Sequence, residues 1–170
     1  MLSCQGIYVF KKAFFLIRAL SKRFATVSPL PFPIPNTDNI PVMADNVVPS
    51  MLIHLGVINL QAAHRITFQT MFQLRDRDSL LALPIASSSD VEPSESPLVS
   101  AAEAYILRAA AIDACERIVG SARRLRAPAD LDWIKNITIP GLDMWLWGIA
   151  KDRKDYRSLP RFGERGTHYY

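Results

Sequence analysis

Apolar residues recur at helical spacing along most of the chain, and no stretch of useful length alternates apolar with polar as a half-buried strand would. The fold class this predicts is all-α. Phe10, Ala13, Ile17, Leu20 and Phe24 define a first helical face, while Phe15 and Leu16 make the segment apolar almost all round, as in a buried helix. Five prolines between Ser28 and Pro41 restrict themselves and their predecessors to extended backbone, so a linker is expected there. A short helix is predicted directly after Asp45, with Pro49 in its first turn and Gly56 at its stop.

Leu60, Ala63, Met71, Leu74 and Leu81 suit a helix that ends before Pro84, although Thr67 and Thr70 interrupt it. Ile85 to Pro97 is rich in serine and proline and carries Asp90, Glu92 and Glu95, the composition of a flexible surface insertion. Ser100-Ala101-Ala102-Glu103 is a capping-box pattern, and Leu107, Ala111, Ala114, Ile118 and Leu125 form the face of the helix it opens, which Pro128 closes. A last helix, following Pro140, is predicted to begin near Asp143 and to reach Lys151.

Charge complicates the first helix. Lys11, Lys12, Arg18, Lys22 and Arg23 precede the first acid, Asp38, and a basic, acid-free, amphipathic start is how a mitochondrial transit peptide reads. A helix of the domain itself would show the same spacing. The 170 residues, 49% apolar and 21% charged, suffice for one buried core and exclude a wholly disordered chain. A formal charge of +4 suits anionic partners without reaching the density expected of a duplex-DNA binder. Cys4 and Cys115 cannot build a disulfide framework, and His54, His64 and His168 lack metal-ligand spacing, so no structural metal is expected. Lys11, Lys12 and Arg18 interrupt the greasiest run, Gly6 to Leu20, so no membrane-spanning helix is expected.

Few residues offer chemistry. Asp45 precedes one predicted helix and Asp143 is expected in the first turn of another, where capping is the commonplace role of a carboxylate. Trp147 lies four residues after Asp143, so acid and indole should share a helical face, a pairing suited to holding a planar base beside a charge. Lys11, on an apolar helix, must snorkel to water or meet an anion. The basic tail from Lys151 to Arg165 is diluted by Asp152, Asp155 and Glu164 and reads as solvated surface. No phosphate-cradling glycine loop, nucleophile elbow or internal repeat is present.

Several segments resemble the queuosine salvage protein family: Phe10-Lys11-Lys12-Ala13, Pro41 to Leu52 around Met43-Ala44-Asp45-Asn46, Leu107 to Glu116, Leu142-Asp143-Met144-Trp145-Leu146-Trp147, and Arg161 to Tyr170. The resemblance is strongest to fungal members and makes Phe10 to Phe24 a domain helix. It implies an all-helical domain similar to helix-hairpin-helix DNA glycosylases, and an N-glycosylase that hydrolyses queuosine 5′-monophosphate to free queuine for reuse in tRNA modification. Cleaving that bond builds positive charge on the ribose and negative charge on the departing base, so a carboxylate must face the sugar. By motif position Asp143 is the candidate nucleophile or stabiliser. Asp45 is a second acid that binds the donor edge of the base or shares the catalytic work. Trp147 would stack on substrate, and Lys11 would meet phosphate or steer Asp45. Met43 and Asn46 are further candidate substrate contacts, although the family commonly carries an aromatic residue where Met43 stands and a Tyr-Arg pair where Asn46 and Val47 follow.

The expected partner is the nucleotide itself, with no cofactor, no membrane and no stable nucleic-acid complex. The expected location is cytoplasmic, with the mitochondrion as the alternative that the basic N-terminus leaves open. Family members are longer, and residues 1–170 match only their C-terminal part, which implies weak or no activity for this polypeptide alone. Two other classes stand beside the enzyme: an inactive remnant whose helices bind a partner, and a tRNA-binding accessory whose affinity should fall steeply with salt.

Overall fold

A computed structural model describes residues 10–64, 66–69, 96–126, 128–164 and 166–167. The architecture is mostly helical. In chain order it runs α1 (Lys11–Phe24), α2 (Val47–His54), a 3-10 turn (Leu60–Ala62), α3 (Ile66–Gln69), β1 (Leu98–Val99), α4 (Ala101–Ala122), a 3-10 segment (Ala129–Asn136), α5 (Ile139–Asp152), α6 (Lys154–Arg157) and β2 (Gly163–Glu164). No helix of the described residues is long and apolar enough to cross a membrane.

Helices α2, α4 and α5 pack against one another in all three pairings, with α2 enclosed. Every residue of α2 is buried, including Pro49, Ser50 and His54. Val, Pro and Ser are weak helix formers, so packing rather than propensity holds this helix. Val48, Met51 and Leu52 meet Ala111, Cys115 and Val119 of α4 and Leu142, Leu146 and Ala150 of α5. The small alanines and the cysteine on α4 allow close approach, which sets the interhelical distance. A second cluster joins Ile53, Leu60, Phe68, Val99, Ala104, Leu107 and Phe162.

Polar residues on one side of α2 have a structural explanation. Asn46, Ser50 and His54 recur at four-residue spacing and bind the incoming C-terminal strand. The Asn46 amide donates to the Phe162 carbonyl at 3.0 Å, the Phe162 N–H donates to Ser50 Oγ at 3.3 Å, and His54 Nε2 donates to the Pro160 carbonyl at 2.8 Å. That lacing delivers β2 to β1 as a parallel pair in the register Leu98 to Gly163 and Val99 to Glu164. The short sheet was not foreseen, because two-residue strands carry no readable alternation.

Helix ends explain where prediction held and where it slipped. Helix α2 closes on a Schellman motif: Gly56 N–H donates to Ile53 and Val57 N–H to Leu52, with Gly56 at φ 71°. A Cβ on Gly56 would meet nothing within 4 Å, so Gly56→Ala should cost about 1 kcal/mol through backbone conformation alone. Chemical denaturation checks this; an unchanged midpoint would contradict it. The capping box at Ser100 and Glu103 is present with both reciprocal bonds. The buried stripe of α4 nevertheless runs Ala104, Leu107, Ala111, Cys115 and Val119, with Ala114 and Ile118 on its flank. Leu125 lies beyond the helix and is exposed, a correction to the predicted face.

Three further corrections follow. Helix α5 begins at Ile139, not near Asp143, because the Thr138 hydroxyl caps it by accepting from Gly141 N–H at 3.2 Å and Pro140 sits in its first turn. The helix predicted from Leu60 breaks within its described part, since Ala63 is extended between the 3-10 turn and α3. Its remainder, 70–83, and most of the predicted insertion, 85–95, lie outside the described residues. Helix α1 forms as predicted, but none of its residues is fully buried, and Phe15 and Leu16 are 53% and 59% exposed.

Candidate active site

The site is assembled from three places: α1, the loop entering α2, and the second turn of α5. A cleft of about 410 Å³ is lined by Lys11, Lys12 and Phe15 of α1, by Met43, and by Asp143, Met144, Trp147 and Lys151 of α5. Asp143 and Trp147 share a face, as one helical turn dictates. Starting α5 at Ile139 places Asp143 too deep in the helix to cap it.

Asp143 is the anomaly of the structure. It is 0% exposed, and neither carboxylate oxygen has a hydrogen-bond partner among the described residues. An unpaired buried carboxylate is among the costliest groups a core can hold. Its pKa is raised to about 6, first by burial and then by the negative charge of Asp45; the Met43 backbone amide and the Lys11 ammonium pull the other way without offsetting the rise. Near pH 7.5 the group is therefore mostly an anion, with no side-chain hydrogen-bond partner and only the Met43 backbone amide directed toward it.

Asp45 is the opposite case. Its Oδ1 accepts from Val47 N–H at 2.8 Å and from Val48 N–H at 3.5 Å, satisfying the first turn of α2, while Oδ2 forms an ion pair with Lys11. Capping is thus an observed role of Asp45 and not of Asp143. The Lys11 ammonium also lies 4.4 Å from the Trp147 ring centroid, and Lys151 lies 4.3 Å from the same centroid. Two cations over one indole fix its electrostatic setting through the negative face of the ring.

Asp143, Lys11, Met43 and Trp147 therefore meet at one cleft, and Asp45 stands behind it through its bond to Lys11. Asn46 does not join them, because its amide is committed to the Phe162 carbonyl. Lys12, Phe15, Met144 and Lys151 also line the cleft and carried no sequence signal beyond helical spacing from Lys11 and Asp143. Among the described residues no group of three or more His, Cys, Asp or Glu could hold a metal ion. No family model, curated protein or solved structure matches the chain.

Cys115 lies in the core under the site. Burial, reinforced by the charge of Asp143, pushes its pKa up to about 12. A thiol held protonated does not attack disulfides. In a Cys4→Ser background Cys115 should be inert to a chromogenic disulfide at pH 8 until the protein is denatured; labelling of the native state within minutes would contradict this burial.

Proposed function

We propose that the chain is an N-glycosidase of the queuosine salvage type, built on a helical domain like that of helix-hairpin-helix DNA glycosylases, and that it hydrolyses queuosine 5′-monophosphate to queuine and ribose 5-phosphate. The single observation that carries this reading is the fully buried carboxylate of Asp143, without a side-chain hydrogen-bond partner, at the wall of a cleft beside Trp147. Fold stability gives no reason to keep such a group, whereas a reaction that generates a cation does.

In the proposed step the bond between C1′ of the ribose and the nitrogen of the 7-deazaguanine breaks, and its electron pair leaves with the base. The sugar becomes oxocarbenium-like. Asp143 faces that charge, either stabilising it or bonding to C1′ before water replaces it. Water supplies the hydroxyl to C1′ and the proton to the departing base. Trp147 offers the flat surface for stacking the base, with Lys11 and Lys151 setting its field. Asp45 acts through Lys11: its charge fixes the ammonium that in turn pulls the pKa of Asp143 down.

Queuine release should be assayed by chromatography with protein in excess of nucleotide, a design suited to slow turnover, alongside quenching of tryptophan fluorescence as nucleotide is added. The rate should rise with pH through about 6 as Asp143 loses its proton and be lost below it. The absence both of queuine above the protein-free control and of saturable quenching would overturn the proposal.

A further inference from the structure

Of the three acids in the C-terminal basic run, two are committed to partners other than Lys151, Arg157 and Arg161, and the third, Asp152, is exposed and forms no ion pair with a described residue. Asp155 is bonded to Arg153, whose guanidinium holds its carboxyl below the usual range. Glu164 forms a buried ion pair with Arg108 at 2.8 Å. Lys151, Arg157 and Arg161 form no ion pair with a described carboxylate, which they share with exposed cations such as Lys12, Lys22, Arg123 and Lys154; what sets the three apart is that they line the same cleft.

Those three cations line one cleft of about 550 Å³, together with Ser96 and Ser158. Arg161 is anchored there by donating to the Ala150 carbonyl at 2.8 Å, which uses one of the five N–H donors of its guanidinium. Arg157 makes no side-chain hydrogen bond to a described residue and is exposed. Lys151 belongs to both clefts: its ammonium lies over Trp147 in the catalytic cleft, and its side chain also lines the second. Clustered cations, two of them with planar forks, are the donors that phosphate oxygens require, and the Ser96 hydroxyl can add to them; that of Ser158 is committed to the Asp155 carbonyl at 3.0 Å.

We infer that Lys151, Arg157 and Arg161 form a phosphate-binding subsite next to the catalytic cleft, which takes either a phosphate borne by the nucleotide in that cleft or free orthophosphate. Direct binding does not depend on the glycosidase reading, whereas the distinction between the two sources rests on it.

The test is a titration of the whole chain with orthophosphate, followed by calorimetry or phosphorus NMR. Wild type should bind saturably, Arg157→Glu should bind about tenfold more weakly or worse, and Arg117→Glu, an equal charge change on exposed α4, should bind as wild type does. No saturable binding by wild type, or equal weakening by both variants, would overturn the subsite, the latter because it would mean diffuse attraction only. In an Asp143→Asn background the source is then resolved by competition. Displacement of orthophosphate by queuosine 5′-monophosphate but not by queuosine assigns the subsite to the substrate's own phosphate; persistence of orthophosphate against both assigns it to a separate anion. Either result supports the subsite, and orthophosphate binding with no uptake of nucleotide would count against the glycosidase reading alone.

Discussion

Asp143→Asn is expected to lower the single-turnover rate of queuine release by about 10³-fold, the scale seen when a preorganised electrostatic partner of a transition state is removed. The same substitution should stabilise the protein at pH 8. The folded pKa of Asp143, about 6, lies above the ordinary 3.8, so folding is penalised by the anion at high pH and not by the neutral acid at low pH. The penalty is absent below about 3.8, grows between the two values and is complete above about 6. Its full size is on the order of 3 kcal/mol, and Asn, which leaves an unpaired amide in its place, should recover about 1–3 kcal/mol of it. Thermal melts at pH 8 and pH 4 check both the sign and the window. A variant that is inactive and more stable only at the higher pH is what a group retained for chemistry produces. Lower stability at pH 8 would mean that Asp143 has a structural partner after all.

Lys11→Met is the second large effect, and it acts through charge balance. The substitution keeps the aliphatic stem along α1 but leaves the buried Asp45 carboxylate without its ion-pair partner, for which about 3 kcal/mol of stability is the expected loss. It also removes the one cation that lowers the pKa of Asp143. The acid limb of the pH–rate profile should therefore move to higher pH. Adding Asp45→Asn to Lys11→Met should restore much of the stability and move the limb back, since it deletes the charge that Lys11 had balanced. If Lys11 served only to contact substrate phosphate, KM would change while stability and the pH limb stayed fixed. Urea denaturation and pH–rate profiles of the two variants separate these roles.

Local signals in the chain went a long way toward the fold. Helical periodicity located α1 and α4, and proline and glycine signals located α2 and α5; the capping box and the Pro49/Gly56 pair mark boundaries because each is a one-turn interaction between near neighbours. What escaped were features set across the chain. The buried stripe of α4 is chosen by where α2 and α5 land on it, and alanine, which fits either face, does not declare which. Helix α5 starts four residues before the expected position because the Thr138 hydroxyl, not an acid, caps it. Helix α1 has the composition of a buried helix yet packs with only part of its surface, and its Lys11 and Phe15 become walls of a cleft.

The site was legible in part for the same reason. Asp143 and Trp147 are four apart on one helix, so their common face could be read directly. The ion pair of Lys11 with Asp45 spans 34 positions and no local rule anticipates it. Arg108 with Glu164 is more distant still, and it changes the C-terminal tail: an acid expected to dilute the basic run is buried against α4, while Lys151, Arg157 and Arg161 line a cleft.

The central claim is that the carboxylate of residue 143 stands at the anomeric carbon while the base leaves. It is tested most directly by a crystal structure of Asp143→Asn with uncleaved queuosine 5′-monophosphate. The account predicts the base against Trp147 and C1′ about 3–3.5 Å from the side-chain oxygen of residue 143. A nucleotide bound elsewhere, or bound in the cleft with its ribose turned away from that side chain, would contradict it.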